Sequence, residues 1–231
     1  MTPRLLRMTV VGVICFLIGW AITRPIFSNW LGGFGAFASP VPKAGSTPAF
    51  EAYAFILVDD YGAAQPRVEA VWLTHVSSDY STADLAGLPP TQFRDQFSRA
   101  LNGVPLLTLQ PYLRGRLFGT VTLDRDDVKE LVERIGGAYV FGQKMDGAGL
   151  LAYMDAAEPA QVGDLLMRQA AVIQSLLAQM AAAGSQLDLA GLIQTPSYCS
   201  IEQNKLYELV LHYYPVRTDT FHVHPQLDSA P

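Results

Sequence analysis

"GRLFGTVTLDRDDVKELVERIGGAYVFG", residues 115–142, is the stretch from which the fold can be read. "LFGTVTL" alternates as a strand does. Asp124 stands where a helix cap is needed, and Asp126 and Asp127 suit the positive end of the helix dipole. Val128, Leu131, Val132 and Ile135 recur at helical spacing and form one buried face. Gly136 supplies the left-handed stop, and "AYVF" returns as a strand. Strand, helix and strand in that order predict a crossover, with helices packed on a sheet.

The flanking sequence extends this α/β pattern. "YAFILV" (53–58) reads as a buried strand, "EAVWLTHV" (69–76) as a second and "ADLAGLP" (83–89) as a third. Phe93, Phe97, Ala100 and Leu101 repeat with helical spacing before Asn102-Gly103. A short helix is expected from Asp146 to about Asp155 and a long one from about Asp164 to Ala183. The long helix carries a wide apolar face through Leu165, Leu166, Ala170, Ile173, Leu176, Leu177 and Met180, a pattern that core packing alone explains. Ser200 is read as the cap of a helix over 201–214, and "VRTDTFHV" as a last strand.

Composition narrows the class. Half of the 231 residues are hydrophobic and 16% are charged, which suits a folded core and not a disordered chain. The net charge of −5 argues against a nucleic-acid partner, because phosphate backbones need a basic face. The two cysteines, Cys15 and Cys199, lie too far apart in character and position to suggest a disulfide framework.

The N-terminal part predicts a membrane anchor. Residues 1–7 read as a cytoplasmic tail, 8–27 as a single transmembrane span and 28–50 as a Gly/Ala/Ser/Pro-rich linker. The domain follows over 51–225, with a tail at 226–231. Arg4 and Arg7 ahead of the apolar run favour a cytoplasmic N-terminus and an extracytoplasmic domain. A cleaved signal peptide is the rival reading, with "AFA" at 36–38 as its small-x-small site.

Four segments together carry a family resemblance. "FGTVTLDRDDVKELVERIGGAYV", "MDGAGLLAYM", "GDLLMRQAAVIQSLL" and "RVEAVWLTHV" resemble, in order and spacing, segments of the LytR-CpsA-Psr family of cell-envelope proteins. The resemblance implies a mixed central sheet sandwiched by helices, behind one transmembrane helix. It implies transfer of a glycopolymer from a polyprenyl-pyrophosphate carrier to the cell wall, with arginines on the pyrophosphate and carboxylates on Mg²⁺. Carried onto this sequence, Arg67, Arg168 and Gln169 become the phosphate-binding candidates, and Asp59, Asp60 and Glu69 the metal candidates. Leu166, Ala170, Ile173 and Leu177 become the lining of a channel for the lipid tail. The implied partners are the membrane, a polyprenyl-linked glycan or lipid, and other envelope proteins.

The sequence departs from the family where cations are needed. Asp155 stands at one arginine position, Ala157 near a second and Leu165 at a third. "LPPTQ" (88–92) lacks the arginine and aspartate of the corresponding family segment. Removing one donor to a developing phosphate charge costs roughly 2.7–4 kcal/mol of transition-state stabilisation. The chain therefore reads as a degenerate, non-catalytic member that binds a lipid or scaffolds envelope assembly, unless Arg94, Arg99, Arg114 or Arg116 moves in. An active phosphotransferase and a purely structural module are the alternatives. Separately, "FHVHP" would place His222 and His224 on one strand face, the geometry of a metal pair, although paired histidines near a C-terminus are more often ordinary surface residues.

Overall fold

A six-stranded mixed sheet forms the centre of the domain, in the order β7 (Tyr198–Cys199), β4 (Arg116–Leu123), β1 (Phe50–Val58), β2 (Val68–Ser77), β3 (Ala83–Leu88), β8 (Phe221–His224). The structure is a computed structural model and describes residues 50–156 and 162–225. The expected tail, span and linker at 1–49, the C-terminal tail, and Ala157 and Glu158 lie outside the described residues. Among the described residues, no helix is long and apolar enough to cross a membrane.

β1 (Phe50–Val58), β2 (Val68–Ser77) and β3 (Ala83–Leu88) run as an antiparallel meander. A short helix, α1 (Leu106–Leu109), then leads into β4 (Arg116–Leu123), which lies parallel to β1 on its other side. One sheet face is dry against Phe93, Val104 and Leu109, which pack on Ile56, Val71, Leu73 and Leu88. This cover is built of loops and short turns, so helices dominate only the opposite face.

The helix after β4 is α2 (Arg125–Arg134). Its start is fixed by a reciprocal capping box: Asp124 accepts from the amides of Asp126 and Asp127, and Asp127 accepts from the amide of Asp124. Val128, Val132 and Ile135 are buried as the spacing requires. Gly136 ends the helix at a φ of +83°.

The returning strand departs from expectation. β5 (Ala138–Val140) does not enter the main sheet but pairs antiparallel with β6 (Gln143–Met145) as a separate two-stranded ribbon. Phe141 and Gly142 both take positive φ, the conformation that closes a two-residue hairpin compatible with strand twist. The crossover reading is thus corrected: the hairpin turn, not a parallel partner, receives β5.

The helical layer is completed by α3 (Gly147–Asp155), α4 (Val162–Ala183), α5 (Leu189–Gln194) and α6 (Gln203–Tyr213), with β7 (Tyr198–Cys199) and β8 (Phe221–His224) on the two sheet edges. Asp146 caps α3 through the amide of Gly149. Gly147 has no room for a side chain, since a Cβ there would lie 2.4 Å from Lys129 Cα. That absence lets α2 and α3 cross closely.

Three further expectations are corrected. No helix spans 93–101, because the chain is drawn into turns: the Arg94 carbonyl accepts from the Val68 amide, and Ser98 pairs with Gly103. Ser200 does not cap α6; its hydroxyl accepts from the Thr120 amide at 2.8 Å, and α6 starts two residues later than expected. The last strand is shorter than expected, because Thr218–Thr220 forms a 3-10 turn.

Candidate functional site

The helix-covered face of the sheet leaves a cavity of about 400 Å³. Its walls are apolar: Phe55 and Leu57 from β1, Ala70 and Trp72 from β2, and Val121 and Leu123 from β4. Val128 and Leu131 of α2, Met154 of α3, and Ile173, Leu176, Leu177 and Met180 of α4 close it from the helical side. A volume of this order and lining suits an apolar small molecule or part of a longer chain.

The four proposed channel residues separate into two pairs. Ile173 and Leu177 line the cavity. Ala170 packs on Trp72 and borders a second cleft beside Tyr153 and Arg168. Leu166 is 2% exposed and approaches Gly87 of β3, inside the packed core.

One polar atom in the wall has no partner. Thr74 Oγ1 is the single buried side-chain oxygen or nitrogen among the described residues without a hydrogen bond, and Thr74 lines the cavity. A buried hydroxyl left unpaired costs about 1–3 kcal/mol, so a partner inside the cavity would relieve it. Its neighbour Gln169, also buried, is fully engaged: its Oε1 accepts from Trp72 Nε1 at 3.0 Å and its Nε2 donates to the Glu69 carbonyl at 3.3 Å. Gln169 thus serves the wall of the cavity, holding α4 to β2.

A charged cluster adjoins one end of the cavity. Register between β1 and β2 shifts between Leu57 and Val58, which leaves Glu69 as the extra residue of a bulge. A bulge re-aims a side chain, and here it puts Glu69 on the helix side beside Ala70. Both Glu69 oxygens accept from Arg125, at 2.7–3.1 Å. The same guanidinium donates to both oxygens of Asp155, at 2.9 and 2.7 Å. Hydrogen bonds from Asp155 first, then Glu69, hold the Arg125 charge still more firmly than in a free arginine. Arg168 is engaged in the same way. It donates to Asp164 at 2.9 Å and to the Tyr153 carbonyl at 3.2 Å, and its guanidinium lies 5.0 Å from the Tyr153 ring centre.

Glu69, Asp155 and Arg125 together carry a net charge of −1, and the separate Arg168–Asp164 pair is neutral. Each arginine is paired within the chain, so an incoming anion has to displace a carboxylate. Arg125 is the cation of this cluster that the sequence did not single out. Its signal was the pair of acidic residues at 69 and 155, since two carboxylates brought together favour a cation between them.

The remaining candidates lie apart. Asp59 Oδ1 accepts from the amides of Asp60 and Arg67, both at 2.8 Å, and Asp60 Oδ1 accepts from the Gly62 amide at 2.7 Å. These are turn-forming bonds. Among the described residues, Asp59, Asp60 and Glu69 do not converge as a three-ligand group. With both Glu69 oxygens on Arg125, the set does not fit Mg²⁺, which demands several oxygen ligands in octahedral array. Arg67 and Arg94 are exposed neighbours, joined through the Val68 amide, and among the described residues neither forms an ion pair. Arg99 stacks on Tyr61 and Arg116 on Phe118, and none of Arg94, Arg99, Arg114 and Arg116 lines the cavity.

No protein-family model matches the chain, and no curated protein matches it in sequence. Solved structures share its fold. TagV of Bacillus subtilis superposes with a TM-score of 0.59 at 14% identity, over 77% of this chain and 84% of that one. A Streptococcus agalactiae protein gives 0.58 at 14% identity, over 75% and 76%. TagT bound to LI-WTA gives 0.56 at 15% identity, over 79% and 81%. These neighbours are LytR-CpsA-Psr proteins, and the chain has their fold.

Proposed function

With the LytR-CpsA-Psr fold as premise, we propose that this chain is a non-catalytic envelope module that binds the lipid part of a polyprenyl-linked ligand. The observation that carries the reading is the pairing of Arg125 and Arg168 with carboxylates beside an intact apolar cavity. Phosphoryl transfer works by positioning and by neutralising charge on phosphate oxygens. A cluster of net charge −1 opposes a diphosphate and supplies little of that neutralisation. The cavity asks only for an apolar occupant, and burial of apolar surface contributes about 25 cal/mol per Å² without any help from charge. On this reading the domain sits outside the cytoplasm behind a single N-terminal span. It captures a lipid carrier, or the machinery that handles one, and passes no group.

The test is native mass spectrometry of the purified protein with extraction of bound lipid. Retention of an isoprenoid-class lipid, lost on Leu177→Trp, supports the reading. A protein that carries no lipid and takes up none from polyprenol-doped vesicles defeats it and leaves a purely structural partner module.

Arg67 and Arg94 favour a second reading, an active phosphotransferase with a rearranged cation pair. A turnover assay with a polyprenyl-pyrophosphate-linked glycan and Mg²⁺ separates the two. Activity that vanishes on Arg67→Ala with Arg94→Ala selects transfer; no product above the protein-free background selects binding.

A further inference from the structure

The sheet edge formed by β8 brings together three side chains that the cavity and its charged end do not use. β8 runs parallel to β3, with Asp84 beside His222 and Ala86 beside His224. Residues two apart in a strand share a face. His222 and His224 therefore stand on one side of the sheet, with Asp84 next to them. One ligand atom from each of Asp84, His222 and His224 lies within 4.8 Å of the other two. Among the described residues, this is the one such group of three or more His, Cys, Asp or Glu side chains. His222 Nδ1 is 3.8 Å from Asp84 Oδ1, too far for a hydrogen bond, so neither atom satisfies the other.

We propose that Asp84, His222 and His224 bind one divalent transition-metal ion of the Zn²⁺ class, and that the ion fastens β8 to β3. Two imidazole nitrogens and one carboxylate oxygen are a ligand set that suits Zn²⁺, at about 2.0–2.2 Å each, with water in the fourth position. Rotations of the two exposed histidines and the half-buried aspartate would bring the three atoms to that spacing. Mg²⁺ is a poor competitor, because it prefers oxygen ligands throughout. His75 stands opposite Asp84 across the β2–β3 pair, but its Nε2 already accepts from the Arg114 amide at 3.3 Å. The site therefore takes its two nitrogens from β8. That strand is four residues long and pairs only with β3, so a metal cross-link gives it a second hold. This site is independent of the lipid-binding reading.

The test uses the full-length chain in detergent, stripped of metal, titrated with Zn²⁺ by calorimetry and with Co²⁺ by visible absorption. The expected result is one ion per chain, not displaced by excess Mg²⁺, with a rise in Tm. Asp84→Asn and His224→Gln each weaken binding by at least about tenfold, and His222→Gln with His224→Gln abolishes both the binding and the Tm rise. Glutamine keeps volume and polarity, and an unchanged far-UV spectrum shows that the variants fold. Binding no tighter than millimolar in the wild type, equal binding in the double variant, or loss of the ion on Cys199→Ser instead overturns the site.

Discussion

The apolar cavity and the charged cluster near it differ in what each offers a ligand. The cavity walls come from five strands and four helices and are almost wholly apolar. The cluster beside it has the opposite character: each guanidinium is already satisfied by carboxylates of the same chain. A cavity can survive sequence change because apolar side chains of similar volume substitute for one another at small cost. A cation cluster cannot, because one arginine-to-aspartate exchange changes the local charge by two units and recruits the remaining cation as its partner. In this chain Arg125 bridges Asp155 and Glu69, and no net positive charge is left over.

Filling the cavity produces the largest expected effect. Leu177→Trp or Ile173→Trp should lower retained lipid by at least about tenfold while leaving the Tm within a few degrees, since the added volume enters empty space. Extraction and mass spectrometry of wild type and variant measure this. Equal lipid in both would separate the cavity from the function. Next comes Asp155→Arg, which turns the cluster from −1 to +1. It should raise affinity for a polyprenyl diphosphate by about tenfold over wild type at low salt, with the gain shrinking at high salt. Competition binding at two ionic strengths reads it.

Arg125→Ala tests the cluster from the other side. It leaves Glu69 and Asp155 facing each other without a cation, and should destabilise the fold by about 1–2 kcal/mol, discounted for the partial exposure of all three groups. Lipid retention should stay near wild type, because the walls are untouched. A urea titration gives the first quantity. The smallest effect concerns acid. Burial, then the neighbouring Arg114, lowers the pKa of His75 from its ordinary 6.5, with Asp84 opposing. The unfolded chain therefore binds a proton more readily than the folded one, and stability falls as pH drops below about 6.5 towards the depressed folded value. His75→Gln should flatten that slope in denaturation curves between pH 7 and pH 5.

The elements around the cavity were readable wherever the signal was local. The Asp124 cap, the α2 face and the Gly136 stop follow from side-chain chemistry within a few residues. β5 did not, because a three-residue apolar strand fits a sheet or a hairpin equally, and the choice rests on the positive φ values of Phe141 and Gly142. The Phe93–Leu101 spacing predicted a helix, but the Arg94 carbonyl is bonded to β2 and the chain turns instead. At the site, the absence of a cation at 155 and at 165 was visible in the sequence. The capture of Arg125 was not, because it depends on a bulge that turns Glu69 to the helical side.

A non-catalytic role requires that the charged end of the cavity offer a diphosphate no net attraction. The direct measurement is the affinity of the wild-type protein for a polyprenol and for its pyrophosphate ester of the same chain length, in the same vesicles. For that role, equal affinities, or weaker binding of the ester, are expected. An ester bound at least about tenfold more tightly, equivalent to about 1.4 kcal/mol of favourable headgroup interaction, would contradict it.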